Sequence, residues 1–307
     1  MTTTCRALPP LPETCRSRLL AHYGSAATTW LNGVPGLLTN AGRRWNLNLT
    51  GYHDAGHASV LATAHDREGS PVLVKMWFDA DRYARETAAL RLWRPGQDRV
   101  LLAADDEHRV AVLRMIAGRP GGDKPPSDET ARVAEAVQQA HGIGRNVRPG
   151  RFPPLADHIR NEIEPRIRER GRTSRYGRHI AQITPYLAGL SADAARRTVL
   201  HADLYRENVA FTRQGRPMLL DPLPMQGDAL FDWAFWTLYY RLGNGTDDRL
   251  REAARRSGVA RSSILPWCLL IGLHGLLYYE DTRDPRHQQM ADVLTVLLSY
   301  AEKETTP

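Results

Sequence analysis

His201-Ala202-Asp203-Leu204-Tyr205-Arg206-Glu207-Asn208, followed thirteen residues after Asn208 by Asp221 inside Met218-Leu219-Leu220-Asp221-Pro222, is the stretch on which the reading of this chain turns. An aspartate, an asparagine five residues on and a second aspartate after an apolar run is the spacing with which a phosphoryl-transfer site sets a base and two magnesium ligands. The chemistry explains the spacing. A hydroxyl attacking a γ-phosphate needs a carboxylate near its proton, and the phosphates need a divalent metal held by hard oxygen donors. Asp203 is therefore the expected base or hydroxyl-orienting group, and Asn208 and Asp221 the expected metal ligands. Thr198-Val199-Leu200 and Pro217-Met218-Leu219-Leu220 read as strands that hold the two flanks in place. As plain structure, Asp203 and Asn208 would be turn formers and Asp221 a residue before a turn proline. Three residues in register outweigh that alternative.

Working outward, the block His201 to Phe211 with Leu219 to Trp236 resembles the aminoglycoside phosphotransferase family, and within it the branch of streptomycin 6-phosphotransferases and hydroxyurea phosphotransferases. In that branch a His-x-Asp-Leu-x-x-x-Asn loop precedes an Asp-Pro and then Gly-Asp-x-x-Phe-Asp. The resemblance extends over almost the whole chain from Trp30 onward. It implies an α+β, bilobal protein-kinase-like fold. A small β-rich N-terminal lobe with leading helices would span residues 1–117, and a larger helical C-terminal lobe 118–307. It also implies that Asp232 braces the catalytic loop by accepting its backbone hydrogens, and His201 is expected to pack beneath the loop, bonding its backbone. Asp228 reads as a helix cap. Ala202 and Tyr205 depart from the pattern, since the wider family usually has glycine and often histidine there. Tyr205 and Arg206, with Trp233 and Trp236, are the substrate-side candidates, although core packing is the simpler fate of the two tryptophans.

Upstream, Thr50 to Val60 holds Gly51, Gly56 and Ser59 around a polar hairpin, and a second turn leads into Pro71-Val72-Leu73-Val74-Lys75-Met76-Trp77. Three strands joined by two turns result. Glycine allows close backbone approach to phosphate oxygens, and Lys75 on the third strand can reach them. The alternative for Lys75 is an edge-strand solubility lysine. Arg82 to Trp93 reads as a helix, and its Glu86 is the expected partner of Lys75, against a surface pairing with Arg82. Arg109 to Ile116 reads as the strand whose main chain around Arg114, Met115 and Ile116 receives the adenine. ATP is the expected nucleotide, with GTP left open because that recognition is through the main chain.

Beyond a Gly/Pro/Asp-rich linker, helical patterns fall at 128–141, capped by Ser127 or Asp128, and at 157–170, 178–189, 231–240, 264–281 and 288–303. Leading helices fall within 13–45. No apolar run approaches the roughly 20 residues needed to span a bilayer, and the N-terminus lacks a signal-peptide core, so a cytoplasmic enzyme free of membrane association is expected. Three cysteines form no ligand cluster. A monomer is the default for this architecture.

The chain carries a net charge of +7, and ten arginines fall between Arg145 and Arg178. A polycationic aminoglycoside calls for a carboxylate-rich cleft. The acceptor is therefore expected to be a small-molecule antibiotic that is neutral or anionic, such as a nucleoside. The competing reading makes those arginines solvated helix faces. A metabolic kinase acting on a sugar or amino alcohol is the runner-up, and a non-catalytic kinase-fold binding protein the alternative of another class. Arginines alternating with acids, without interleaved aromatics, argue against a nucleic-acid partner.

Overall fold

The structure, a computed structural model, describes residues 8–53, 58–94, 100–116, 124–188, 190 and 196–305. The chain divides into two compact units, Met1–Arg119 and Pro120–Pro307.

In the first unit, helices α1 (Glu13–Tyr23) and α2 (Thr28–Trp45) precede strands β1 (Asn48–His53), β2 (Ser59–His65) and β3 (Pro71–Trp77). Helix α3 (Ala80–Leu92) and strands β4 (Leu101–Asp105) and β5 (Val110–Arg114) follow. The strands form one antiparallel sheet in the order β1-β2-β3-β5-β4. Its core pairs Leu19, Leu31, Val34 and Leu38 of the leading helices with Val60, Ala62, Val74 and Met76 of the sheet. Burial of such side chains contributes about 1.5–3 kcal/mol each. Because β3 is flanked by β2 and β5, Lys75 sits in register with Leu61 on one side and Ala111 on the other. It is not an edge lysine. Helix α3 starts two residues before the predicted Arg82, because the Asp79 side chain caps it by accepting the Arg82 N–H. The sequence reading lacks β4, whose Leu-Leu-Ala-Ala-Asp has neither β-branched residues nor alternation.

The second unit is mainly helical. Helix α4 (Glu129–Gly144) is followed by the short α5 (Leu155–His158), a π turn (Ile159–Ile163), α6 (Glu164–Arg170) and α7 (Gly177–Leu187). Four short strands come next: β6 (Arg197–Leu200), β7 (Val209–Phe211), β8 (Pro217–Leu219) and β9 (Met225–Asp228). They pair as two antiparallel ribbons, β6 with β9 and β7 with β8. Helices α8 (Leu230–Tyr239), α9 (Thr246–Ser257), α10 (Arg261–Asp281) and α11 (Arg286–Thr305) complete the unit. The predicted cap of α4 is corrected. Asp128 occupies the N-cap position without a side-chain cap bond, because its carboxylate is held 2.7 Å from Arg132 Nε.

One expectation about length also changes. Helix α10 is long and apolar enough by composition to cross a membrane. Yet 72% of that window is buried inside the fold, as in the core helix of a globular protein. Helix α8 is buried along its whole length and packs against α10.

Candidate active site

The loop between β6 and β7 is fixed from below by one buried carboxylate. Asp232, in the first turn of α8, accepts the His201 N–H at 2.7 Å and the Ala202 N–H at 2.8 Å. His141 Nε2 lies 2.9 Å from the same group, stacked edge-on against Trp233. Ala202 is thereby held at φ 57°, in the left-handed region. An L side chain there costs roughly 1–2 kcal/mol, which gives a physical reason for glycine at this position in the resembled family. Gly227 of β9 has a different reason: a Cβ would lie 2.4 Å from Leu155 Cβ.

After Asp203 the chain makes a single 3-10 turn, Arg206–Asn208. The Asn208 side-chain amide donates to both the Asp203 carbonyl and its carboxylate, each at 2.8 Å. The Asp203 side chain is thus oriented by Asn208 through a charge-assisted bond. With its amide nitrogen turned to Asp203, Asn208 keeps Oδ1 to offer a cation. The segment carrying Asp221 is tied to the loop on both sides. Leu220 N–H donates to the Asn208 carbonyl at 2.8 Å and Leu223 N–H to that of His201 at 2.9 Å. Asp221 itself adopts φ 56°. An amide oxygen and a carboxylate on adjoining, tied segments suit a hard divalent ion such as Mg2+. Asp228 is fully buried, paired with Arg196 at 2.9 Å and capping α8 through the Leu230 N–H.

Asp232→Asn would set an amide NH2 against one of these donors. The expected cost is about 2 kcal/mol of stability, together with a drop in turnover, read by urea unfolding and steady-state kinetics.

Three substrate-side expectations are corrected. Trp233 and Trp236 are buried on α8, where their rings meet edge-on at 5.9 Å. Direct contact with an acceptor would require repacking. Arg206 turns inward: Nε pairs with Glu129 at 3.1 Å, Nη1 donates to the Val209 carbonyl, and the guanidinium covers the Phe211 ring. It braces the loop.

Tyr205 does face a cavity. A recess of about 230 Å3 opens beside Asp203 and is walled by Tyr205, Phe235, Tyr239, Tyr279 and His274. A larger recess of about 440 Å3 lies along α9 and α11 and shares no lining residue with it. Burial pushes the histidines at the smaller recess toward the neutral form. His158 is lowered mainly by desolvation, and His274 falls to about 4 through desolvation, with Arg166 adding to it. His201 beneath the loop also falls to about 4, again by burial first. Of the arginine-rich segment, Arg166 and Arg170 are engaged by Asp281, and Arg175 by Glu280. Arg145, Arg148 and Arg172 are exposed.

The sign for His274 is definite. Its folded value lies below the ordinary 6.5, so protonation favours the unfolded chain. The stability it contributes is present above pH 6.5 and is lost as pH falls toward 4. A loss of roughly 2 kcal/mol by pH 5 is expected. It is measured as a drop in Tm that His274→Gln makes shallower.

In the first unit, Lys75 Nζ lies 2.7 Å from Glu86 Oε1, and the other carboxylate oxygen accepts Trp77 Nε1–H at 2.8 Å. Lys75, Glu86 and Trp77 are all buried. Gly51 marks a register shift in β1, a bulge that adds a residue between Leu49 and its neighbour. Ser59 is buried opposite Trp77, and Gly56 lies outside the described residues. The strand predicted through Ile116 ends at Arg114, whose backbone N–H donates to the Val100 carbonyl. Met115 and Ile116 follow the strand half-buried.

Residues 44–263 match the sequence profile of the aminoglycoside/hydroxyurea antibiotic resistance kinases. The chain is 24% identical to the streptomycin 6-kinase of Streptomyces griseus over 250 residues, 78% of this chain and 79% of that protein. It is 24% identical to the hydroxyurea phosphotransferase of Kitasatospora aureofaciens over 217 residues, 69% of this chain and 63% of that protein. Among solved structures, it resembles choline kinase LicA from Streptococcus pneumoniae. The TM-score is 0.59 at 16% identity, with 86% of this chain and 99% of that one covered. The aminoglycoside phosphotransferase APH(4)-Ia, solved with AMP-PNP and hygromycin B, matches with TM-score 0.58 at 17% identity, covering 82% and 93%. These likenesses establish the protein-kinase-like fold, with its antiparallel sheet in the first unit and its helical second unit.

Proposed function

The chain belongs to the aminoglycoside/hydroxyurea antibiotic resistance kinase family and is a phosphotransferase, and we propose that it transfers the γ-phosphoryl group of ATP to a hydroxyl of a small-molecule antibiotic, inactivating it. The observation that carries this reading is the Asp203 carboxylate, clamped by Asn208 on a loop braced by Asp232, at the edge of a recess sized for a small acceptor.

In this reading Asp203 holds the acceptor hydroxyl and receives its proton as the bond to phosphorus forms. Asn208 fixes the carboxylate's orientation, so that little reorganisation is needed at the moment of transfer. Lys75, held by Glu86 and Trp77, offers a fixed ammonium to the nucleotide phosphates. The backbone at Gly51 and around Arg114 to Ile116 is the remaining nucleotide-side candidate. Asn208 Oδ1 and the Asp221 carboxylate would hold Mg2+, which when bound neutralises phosphate charge. The acceptor is neutral or anionic rather than polycationic, and a nucleoside-type antibiotic fits. The enzyme acts in the cytoplasm.

A coupled ATP-consumption assay tests the reading, with streptomycin, hydroxyurea, a neutral nucleoside antibiotic, a sugar and an amino alcohol as acceptors. Magnesium-dependent turnover on an antibiotic, lost with EDTA, is the expected result. Turnover confined to the sugar or amino alcohol would favour a metabolic kinase and overturn the resistance role.

A further inference from the structure

Resting on Asp203 as the hydroxyl-facing group, we infer that the recess beside it is a ring-binding acceptor site for an uncharged alcohol no larger than a nucleoside, with Tyr279 and His274 as its specificity-determining polar anchors. Three observations converge on this.

The first is size. About 230 Å3 is below the roughly 300–1,000 Å3 typical of drug-sized ligand sites. One or two rings fill it, and a multi-ring aminoglycoside would have to extend beyond its walls.

The second is the character of the walls. Tyr205 meets Phe235 and Tyr239 edge-on at 5.2 Å each, and Phe235 lies 4.6 Å from Tyr239, so three rings form one rigid aromatic corner. Such a corner receives a flat ring by stacking and edge contacts at low entropic cost. Asp203 is the one carboxylate among the described residues lining the recess. A polycation would need further acids there. Instead, cations already lie over the two remaining tyrosines. The Arg286 guanidinium is 4.5 Å from the Tyr279 ring centre and that of Arg166 is 5.2 Å from Tyr278. Both are balanced outside the recess, Arg286 by Asp284 and Arg166 by Asp281. The ring faces they cover are closed to a second cation. Burial shifts both histidines, His158 and His274, toward the neutral form.

The third is unspent hydrogen-bonding capacity. Tyr279 is 2% exposed and its hydroxyl lies against the Tyr205 phenol, a contact that leaves a tyrosine hydroxyl, which both donates and accepts, with capacity for a further partner. Nδ1 of His274, also buried, has no hydrogen-bond partner among the described residues. A buried hydroxyl and a buried imidazole nitrogen left this way are costly unless a ligand completes them. An uncharged ring bearing a donor and an acceptor at its edge does so, while its hydroxyl faces Asp203.

The test compares uridine and adenosine with streptomycin and hydroxyurea, using wild type and the Tyr279→Phe variant, and reads phosphorylated product by mass spectrometry. For wild type, kcat/KM on a nucleoside is expected to exceed that on streptomycin by at least about a hundred-fold. Tyr279→Phe is expected to raise the nucleoside KM about tenfold with kcat and the KM for ATP nearly unchanged. Equal or better turnover of streptomycin, or of hydroxyurea alone, overturns the inference while leaving phosphotransfer to an antibiotic intact. So does an unchanged nucleoside KM in Tyr279→Phe. Absence of phosphorylated product from all four compounds overturns both the inference and the reading beneath it.

Discussion

Asp203→Ala is expected to lower kcat on the order of 10²–10⁴-fold while nucleotide binding stays close to wild type. The separation follows from the structure. The Asp203 side chain is not what braces the loop from below, since Asp232 carries the backbone N–H groups of His201 and Ala202. Its carboxylate meets Asn208, and the Asp203 carbonyl still accepts from Asn208 when the side chain is gone. The fold should therefore survive, with Tm within a few degrees of wild type. Steady-state kinetics and calorimetric titration with a non-hydrolysable ATP analogue measure the two halves independently. Normal turnover in this variant would refute the assignment.

Glu86→Ala has the largest expected effect on stability. Both oxygens of Glu86 are engaged, one by Lys75 Nζ and one by Trp77 Nε1, and all three side chains are buried. Truncation leaves an ammonium without its counter-charge inside the sheet and an indole N–H without an acceptor. Breaking a buried pair from one side costs about 3–5 kcal/mol. Urea denaturation of the variant reads this directly. Replacing both partners, as Lys75→Met with Glu86→Leu, is expected to restore most of that stability, because no buried charge remains. It should not restore ATP binding. A double variant that bound ATP normally would assign the pair to structure alone.

What the sequence made legible depended on how local the signal was. Asp203, Asn208 and Asp221 fall within nineteen residues, and their spacing maps onto one loop and one adjoining segment. Helix α10, apolar around nearly its whole circumference, and helix α11, with an apolar face, were legible for the same reason. Helix α9 was not. Seven of its twelve residues are charged, and Leu250 and Ala253 are the only apolar side chains it buries, too few to stand out in the sequence. Its Arg249 is buried, donating to the carbonyls of Thr237, Arg241 and Asn244, and desolvation lowers it to about 10. A sequence shows an arginine; the acceptors that let it enter the core exist only in the folded unit.

The acceptor recess was equally hidden. Its walls come from His158, Tyr205, Phe235, His274 and Tyr279, drawn from four separate segments, since His274 and Tyr279 share α10, and nothing in the spacing between segments marks them as neighbours. The loop-proximal aromatics Trp233 and Trp236 looked nearer to the chemistry, yet helix α8 directs them into the core. Arg206 misled for a related reason. Its position in the loop suggested substrate contact, but Glu129 on α4 captures it.

The most direct test of the central claim follows the phosphoryl group itself. ATP isotopically labelled in its γ-phosphoryl oxygens is incubated with enzyme, magnesium and an accepted alcohol, and the product is analysed by mass spectrometry. One phosphate carrying the full label on the acceptor, with ADP as co-product, is the expected result. Release of labelled inorganic phosphate with an unmodified acceptor, or an acceptor bearing an AMP group, would contradict it.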